Sequence, residues 1–282
     1  MTSMRGAWEG GAMTSSAELR DIAVSIAKRA ATLAQQRRRD GVEIAASKSS
    51  VSDIVTRADR EAEDLIRGAL AAARPADGFF GEESGGDTGT SGLTWVVDPI
   101  DGTVNYAYGI PDYAVSIAVV EGDPDPITWR TLAGAVVNPE SGDVFAAAAG
   151  LGSTRNGQAL RVNDGVELPL ALVGTGFGYD AGVRRRQAEF VARLIGEVRD
   201  IRRIGSAALD LCGLAAGRLD AYYERGLNPW DHAAGALVAR EAGARVGGLD
   251  GGPEDGRLLL AAAPGLYAAL EPMVQEFFGA WE

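Results

Sequence analysis

The 282-residue chain is short of the residues on which many enzymes and binding modules depend: it has one cysteine, one histidine and a deficit of basic side chains. A single thiol, Cys212, excludes an intrachain disulfide and a thiolate zinc cage. A single imidazole, His232, excludes zinc sites built from several histidines and His–His relays. Lys and Arg number 27 against 39 Asp and Glu, a net charge of −12. That balance lacks the basic footprint of a nucleic-acid binder. No apolar run reaches the roughly 18 residues of a transmembrane helix. The opening MTSMRGAWEGG has no apolar signal core, so no membrane partner and a cytoplasmic location are expected. No P-loop motif occurs, and Gly174, Gly176 and Gly178 alternate without the spacing of a dinucleotide-binding loop.

What is present is a globular composition, 46% hydrophobic, with 38 glycines that predict many tight turns and close backbone approaches. Polar chemistry in such a chain must come largely from carboxylates. A carboxylate-rich site without His or Cys favours hard, oxygen-loving cations such as Mg²⁺.

Residues 1–14 are Gly-rich and aperiodic, a frayed extension in which Met13 is a second candidate start. Ser15 and Glu18 form a capping-box pattern, followed at helical spacing by Leu19, Ile22, Ala23, Ile26, Ala30 and Leu33 and closed by Gly41. A second helix is predicted from Arg57 to Ala73, ending before Pro75. Strands are expected at Phe79-Phe80, Trp95–Val97, Val115–Val119, Leu132–Val137 and Val144–Ala148, with Asn156-Gly157 as a hairpin turn. Beyond Gly150 strand and helix alternate. Strand signals lie at Ala171–Val173, Asp200–Arg203, Leu219–Tyr223 and Leu258–Ala262, and helical ones at Val183–Val198, Ser206–Ala216, Trp230–Ala242 and Gly265–Phe278. The expectation is an α+β unit over residues 1–150 and an α/β unit over 151–282.

Four segments could carry chemistry, and each also has a plain structural reading. In Asp98-Pro99-Ile100-Asp101-Gly102-Thr103, two carboxylates three residues apart follow an apolar strand around a tight bend. If the bend opens a helical turn, the amides of Gly102 and Thr103 suit an anion beside the acids; otherwise it is an Asx turn. Gly81-Glu82-Glu83-Ser84 holds adjacent acids that repel unless a cation or donor restrains them, or it is a solvated loop. Asn228-Pro229-Trp230-Asp231 reads equally as a helix start, and Thr56 with Asp59 as capping. His232 reads as a helix-surface or packed residue and Cys212 as a small buried hydrophobe.

Taken together, GEES at 81–84, WVVDPIDGTVNY at 95–106 and GSAALDLCGLAAGRLDAYYERGLNPWDHAAGALVAREAGA at 205–244 resemble the inositol monophosphatase family, with the likeness running from about Ala17 to Phe278. The resemblance implies a layered αβαβα sandwich, a homodimer, and hydrolysis of phosphate monoesters with two or three Mg²⁺ ions, often inhibited by Li⁺. It implies that Glu82, Asp98, the carbonyl of Ile100, Asp101 and Asp231 hold metal, with Asp98 bridging and Glu83 beside the first ion through water. It assigns Asp59 and Thr103 to positioning the attacking water, Gly102 and Thr103 to phosphate, and Glu224 with Ser206 and Ala207 to the alcohol portion of the substrate. Tyr108 stands where many members have His, and the 40–53 loop keeps Lys48 but otherwise matches loosely. The bacterial members on myo-inositol 1-phosphate are the best match. Fructose 1,6-bisphosphate, histidinol phosphate and 3′-phosphoadenosine 5′-phosphate remain as alternative substrates, and a non-catalytic interaction protein remains as an alternative of another class.

Overall fold

A computed structural model describes residues 14–42, 44–47 and 54–281. The expected extension, with Met13, and Lys48 lie outside the described residues. The chain opens with α1 (Ser16–Asp40), a two-stranded ribbon of β1 (Ile44–Ser47) and β2 (Ile54–Thr56), and α2 (Arg57–Ala73). It continues through β3 (Gly78–Gly81), β4 (Gly85–Asp87), β5 (Leu93–Asp101), a short α3 (Thr103–Tyr108), β6 (Ala114–Glu121), β7 (Arg130–Val137), β8 (Val144–Ala148), β9 (Ser153–Arg155) and β10 (Gln158–Ala159). The second half runs β11 (Leu172–Thr175), α4 (Ala181–Leu194), β12 (Asp200–Arg202), α5 (Ala207–Ala215), β13 (Ala221–Glu224), α6 (Pro229–Glu241), β14 (Arg245–Gly247), β15 (Leu259–Ala262) and α7 (Pro264–Phe278).

Two sheets organise the molecule. The larger has the order β10-β9-β8-β7-β6-β5-β3-β4, and the smaller β12-β11-β13-β15-β14. The larger is antiparallel except for the β3–β5 pair, and in the smaller β12-β11-β13 run parallel. Strand alternation sends side chains to two different cores, because successive Cβ atoms point to opposite faces. On β6, Val115, Ile117 and Val119 pack against α1 and α2, while Ala114, Ala118 and Val120 pack against α5 and α6. On β13, Tyr222 faces the α5–α6 layer, whereas Ala221 and Tyr223 face Phe190 of α4 and Leu270 of α7. The layers therefore run α1/α2, large sheet, α5/α6, small sheet, α4/α7, the αβαβα sandwich expected.

Sequence grammar accounts for the helix ends. Ser15 and Glu18 form the expected capping box on α1. The helix expected from Val183 begins at Ala181, because the Asp180 carboxylate takes the amides of Gly182 (2.8 Å) and Val183 (2.9 Å). The large sheet also runs on past Gly150: β9 and β10 flank the Asn156-Gly157 turn and pair back onto β8. In the middle layer, α6 is buried nearly all round by small residues from Ala233 to Ala236, which lets two sheets and α5 approach it closely.

Candidate active site

The ends of β3, β5, β11 and β13 and the starts of α3, α4, α5 and α6 converge on a cavity of about 410 Å³, lined by Glu82, Asp98, Asp101, Thr103, Glu224 and Asp231 among others. β5 delivers the first pair of acids. A register shift between Asp98 and Asp101 lifts the chain out of the ladder with β6, and the Ile100 amide donates to Asp98 Oδ1 (3.0 Å). Gly102 then takes φ +95° and starts α3. A side chain there would be strained by that dihedral and would press on the Asp112 carbonyl (3.0 Å) and the Gly205 carbonyl (3.2 Å). The helical turn read as one possibility is the one formed.

Asp101 reaches across to the second half of the chain, accepting from the Ser206 hydroxyl and from the Ala208 amide (2.7 Å) at the start of α5. Ser206 is thus tied to Asp101 while it lines the cavity. Asn105 adds a second bond between the halves, donating to the carbonyls of Asp112 (2.7 Å) and Ile204 (2.9 Å). Asp231 sits in the first turn of α6 and accepts from the Asn228 amide (2.7 Å). Its helix-start role is real, and the same geometry faces it into the cavity.

Thr56 and Asp59 do more than cap α2. Asp59 is fully buried; its Oδ2 accepts from the Thr56 amide (2.9 Å), and its Oδ1 accepts from the Thr103 hydroxyl (3.0 Å). The Thr103 hydroxyl also lies 3.1 Å from the Ile100 carbonyl. Glu83 does not line the cavity: its amide donates to Glu63 Oε2 (2.9 Å). Tyr108 is 80% exposed. His232 and Cys212 are buried, the packed reading of each.

The acids of the cavity crowd one another. Burial pushes the Asp98 and Asp231 carboxyls well above the usual range, and the charges of Glu82 and Asp101 raise both further. Burial lifts Asp101 to about 6 against its bonds from Ser206 and Ala208, and lifts Asp59 to about 6 against its bonds from Thr56. Among the described residues no three His, Cys, Asp or Glu side chains converge as a ready-made ion cage. Their chemistry nonetheless fits a hard divalent ion: the donors are all oxygen, and they repel one another.

Sequence reasoning missed Glu63, Asp210 and Tyr222. Glu63 is buried and accepts from the Glu83 amide and the Ser84 hydroxyl, fixing the GEES turn. The signal was its spacing of four from Asp59, which puts both acids on the face of α2 that also buries Ala62 and Ile66. Asp210 and Tyr222 carry no such local signal.

Layers that bring these carboxylates around one cavity beside a helix start define a phosphatase. The inositol monophosphatase family model matches residues 15–277. The inositol-1-monophosphatase SuhB of Mycobacterium tuberculosis is 47% identical over 284 residues, 93% of this chain and 95% of that protein. The solved structure of M. tuberculosis SuhB superposes with a TM-score of 0.78 at 46% identity, covering 94% of this chain and 98% of that one. An Escherichia coli relative named Nus factor SuhB is 38% identical over 234 residues, 82% of this chain and 85% of that protein. The chain belongs to the inositol monophosphatase family.

Proposed function

We propose that the cavity hydrolyses a phosphate monoester of a polyol, with myo-inositol 1-phosphate the preferred substrate, by direct attack of water and with Mg²⁺ as cofactor. The observation that carries this reading is the meeting of Glu82, Asp98, Asp101 and Asp231 with the start of α3 and with Glu224 in one cavity. Those four acids and the Ile100 carbonyl would hold two or three Mg²⁺ ions, Asp98 being shared. Magnesium bound there supplies positive charge against the phosphoryl oxygens and makes a water easier to deprotonate.

The remaining steps belong to the chain itself. Thr103 spends its hydroxyl proton on Asp59 and Ile100, so its lone pairs face outward to accept from the attacking water. Asp59, lifted by burial to about 6, takes up through the Thr103 hydroxyl the proton that the attacking water gives up, and the departing alkoxide takes its proton from solvent. The amides of Gly102 and Thr103 open α3 and lack helical partners, so they suit phosphoryl oxygens. No nucleophilic side chain is required, and the lining contains neither Cys nor His. Glu63 holds the turn that carries Glu82, and Glu83 serves this arrangement through its backbone.

Glu224 supports a polyol because a carboxylate accepts hydrogen bonds from hydroxyls and repels a second phosphate. A homodimer in the cytoplasm completes the reading; light scattering of the purified protein checks the dimer. The decisive assay is phosphate release, with and without Mg²⁺, from inositol 1-phosphate, fructose 1,6-bisphosphate, histidinol phosphate and phosphoadenosine phosphate. Mg²⁺-dependent preference for the first is expected. Preference for another ester overturns the substrate, and no turnover of any ester by folded protein overturns catalysis in favour of an interaction role.

A further inference from the structure

The alternating glycines at the end of β11 match no cofactor-binding loop, yet the structure gives two of them a use. Gly176 lies directly against the carboxylate of Glu224: a Cβ there would overlap both carboxylate oxygens. Its backbone is not in the left-handed region, so an added Cβ acts by displacing the Glu224 carboxylate and not through dihedral strain. Gly174, two residues earlier on the same face, is less crowded; a Cβ would stand 2.8 Å from Leu219 Cδ1, 3.1 Å from Asp210 Oδ1 and 3.2 Å from the Tyr222 ring.

Into this room fits a buried stack of polar groups. Tyr222 has no exposed surface, and its hydroxyl donates to Glu224 Oε2. Asp210, 1% exposed, stands beside it with Oδ1 lacking any hydrogen-bond partner. Burial pushes the Asp210 carboxyl well above the ordinary range, and the charge of Glu224 raises it further. The Tyr222 phenol is likewise driven up by burial and stays a donor. A phenol that donates to Oε2 restrains that oxygen, and Glu224, raised by burial to about 7, remains in the lining of the cavity.

We propose that Tyr222, housed with Asp210 in the space left by Gly174 and Gly176, is the positioning residue that aims Glu224 at substrate hydroxyls and thereby sets the preference for polyol esters. This rests on the role given to Glu224 above. The energetic logic is that of recognition by an oriented acceptor: a carboxylate free to rotate would lose orientation on every binding event, whereas one held in advance does not.

The test compares kcat/KM for inositol 1-phosphate with that for p-nitrophenyl phosphate, which offers no hydroxyls, in the wild type, Tyr222→Phe, Gly176→Ala, the double variant and Glu224→Gln. Tyr222→Phe keeps ring and volume, and thermal unfolding confirms that each variant is folded. The ratio is expected to fall about tenfold or more in Tyr222→Phe, as for loss of a hydrogen bond to a charged group, mainly through KM for the inositol ester. Gly176→Ala is expected to do the same by displacing the carboxylate, and the double variant to be little worse than either single one. A merely structural defect lowers both substrates together and leaves the ratio unmoved, which overturns the inference. If Glu224→Gln lowers the ratio while Tyr222→Phe does not, positioning by Tyr222 is wrong and the reading of Glu224 stands. If Glu224→Gln leaves the ratio intact, the reading of Glu224 fails and the inference falls with it.

Discussion

Asp59 divides its two oxygens between structure and chemistry. Oδ2 closes the capping box with Thr56, and Oδ1 receives the Thr103 hydroxyl from the start of α3. The two jobs separate by mutation. Thr56→Ala removes a cap and is expected to lower stability by about 1 kcal/mol. Thr103→Val keeps the cap and removes the hydroxyl proposed to orient water, so kcat is expected to fall about a hundredfold with a smaller change in melting temperature. Steady-state kinetics and thermal unfolding of both variants read the contrast, and a Thr103→Val enzyme with wild-type kcat would remove Thr103 from the mechanism. The acids of the site were legible in sequence because each lies in a continuous motif that ends a strand or starts a helix. Glu63 and Tyr222 were not, because what they do depends on segments they meet only after folding: Glu63 reaches Glu83 and Ser84 twenty residues on, and Tyr222 turns along its own strand to Glu224.

Secondary structure carries the site through close contacts that leave little room. On β7, a Cβ at Gly134 would lie 3.1 Å from both Cα and Cβ of Ala234 in α6, the helix that presents Asp231. Gly134→Val is therefore expected to push α6 off the large sheet and destabilise by about 1–3 kcal/mol, as overpacked cores do; urea unfolding measures it. The hairpin beyond β8 is held differently. Asp143, 5% exposed, accepts from Arg155 Nε (2.8 Å) and from Arg218 Nη2 (3.2 Å), linking β8 and β9 to the turn after α5. Burial raises its pKa, but the two guanidinium groups outweigh it and hold it below 3.8. A depressed carboxylate stabilises the fold above its unfolded pKa and loses that contribution as pH falls through its folded value. Asp143→Asn is thus expected to melt lower than wild type at pH 7, and the gap to close as acidification carries the carboxylate through its lowered pKa. A gap that is constant with pH would show that shape and not charge makes the contribution. The long helices were read from periodicity to within a few residues. β14 was not read, and the β9–β10 hairpin was read only from its Asn156-Gly157 turn.

At the scale of the whole molecule, the sandwich gathers acids from distant segments: Glu82 follows β3, Asp98 and Asp101 end β5, and Asp231 opens α6. Hydrophobic burial on both faces of the two sheets forces those ends together, although the acids themselves repel. Alternating β and α signals showed the α+β and α/β character of the two halves, and the layered sandwich was legible through resemblance. The cavity was legible only through resemblance, because nothing local in the sequence states that residues 98 and 231 meet. The repulsion gives a prediction that does not depend on turnover. Asp98→Asn removes one charge from the crowded set, so the variant stripped of divalent ions with a chelator is expected to melt higher than the stripped wild type. Adding Mg²⁺ reverses the order. Ligand that binds only the folded state stabilises by about 2.7 kcal/mol at a hundred times its Kd, several degrees for the wild type, whereas the variant, lacking the carboxylate proposed to bind the ion, is expected to respond weakly. If the stripped variant melts below the stripped wild type, the acids are not in net repulsion. If Mg²⁺ moves both melting temperatures equally, the ion binds elsewhere.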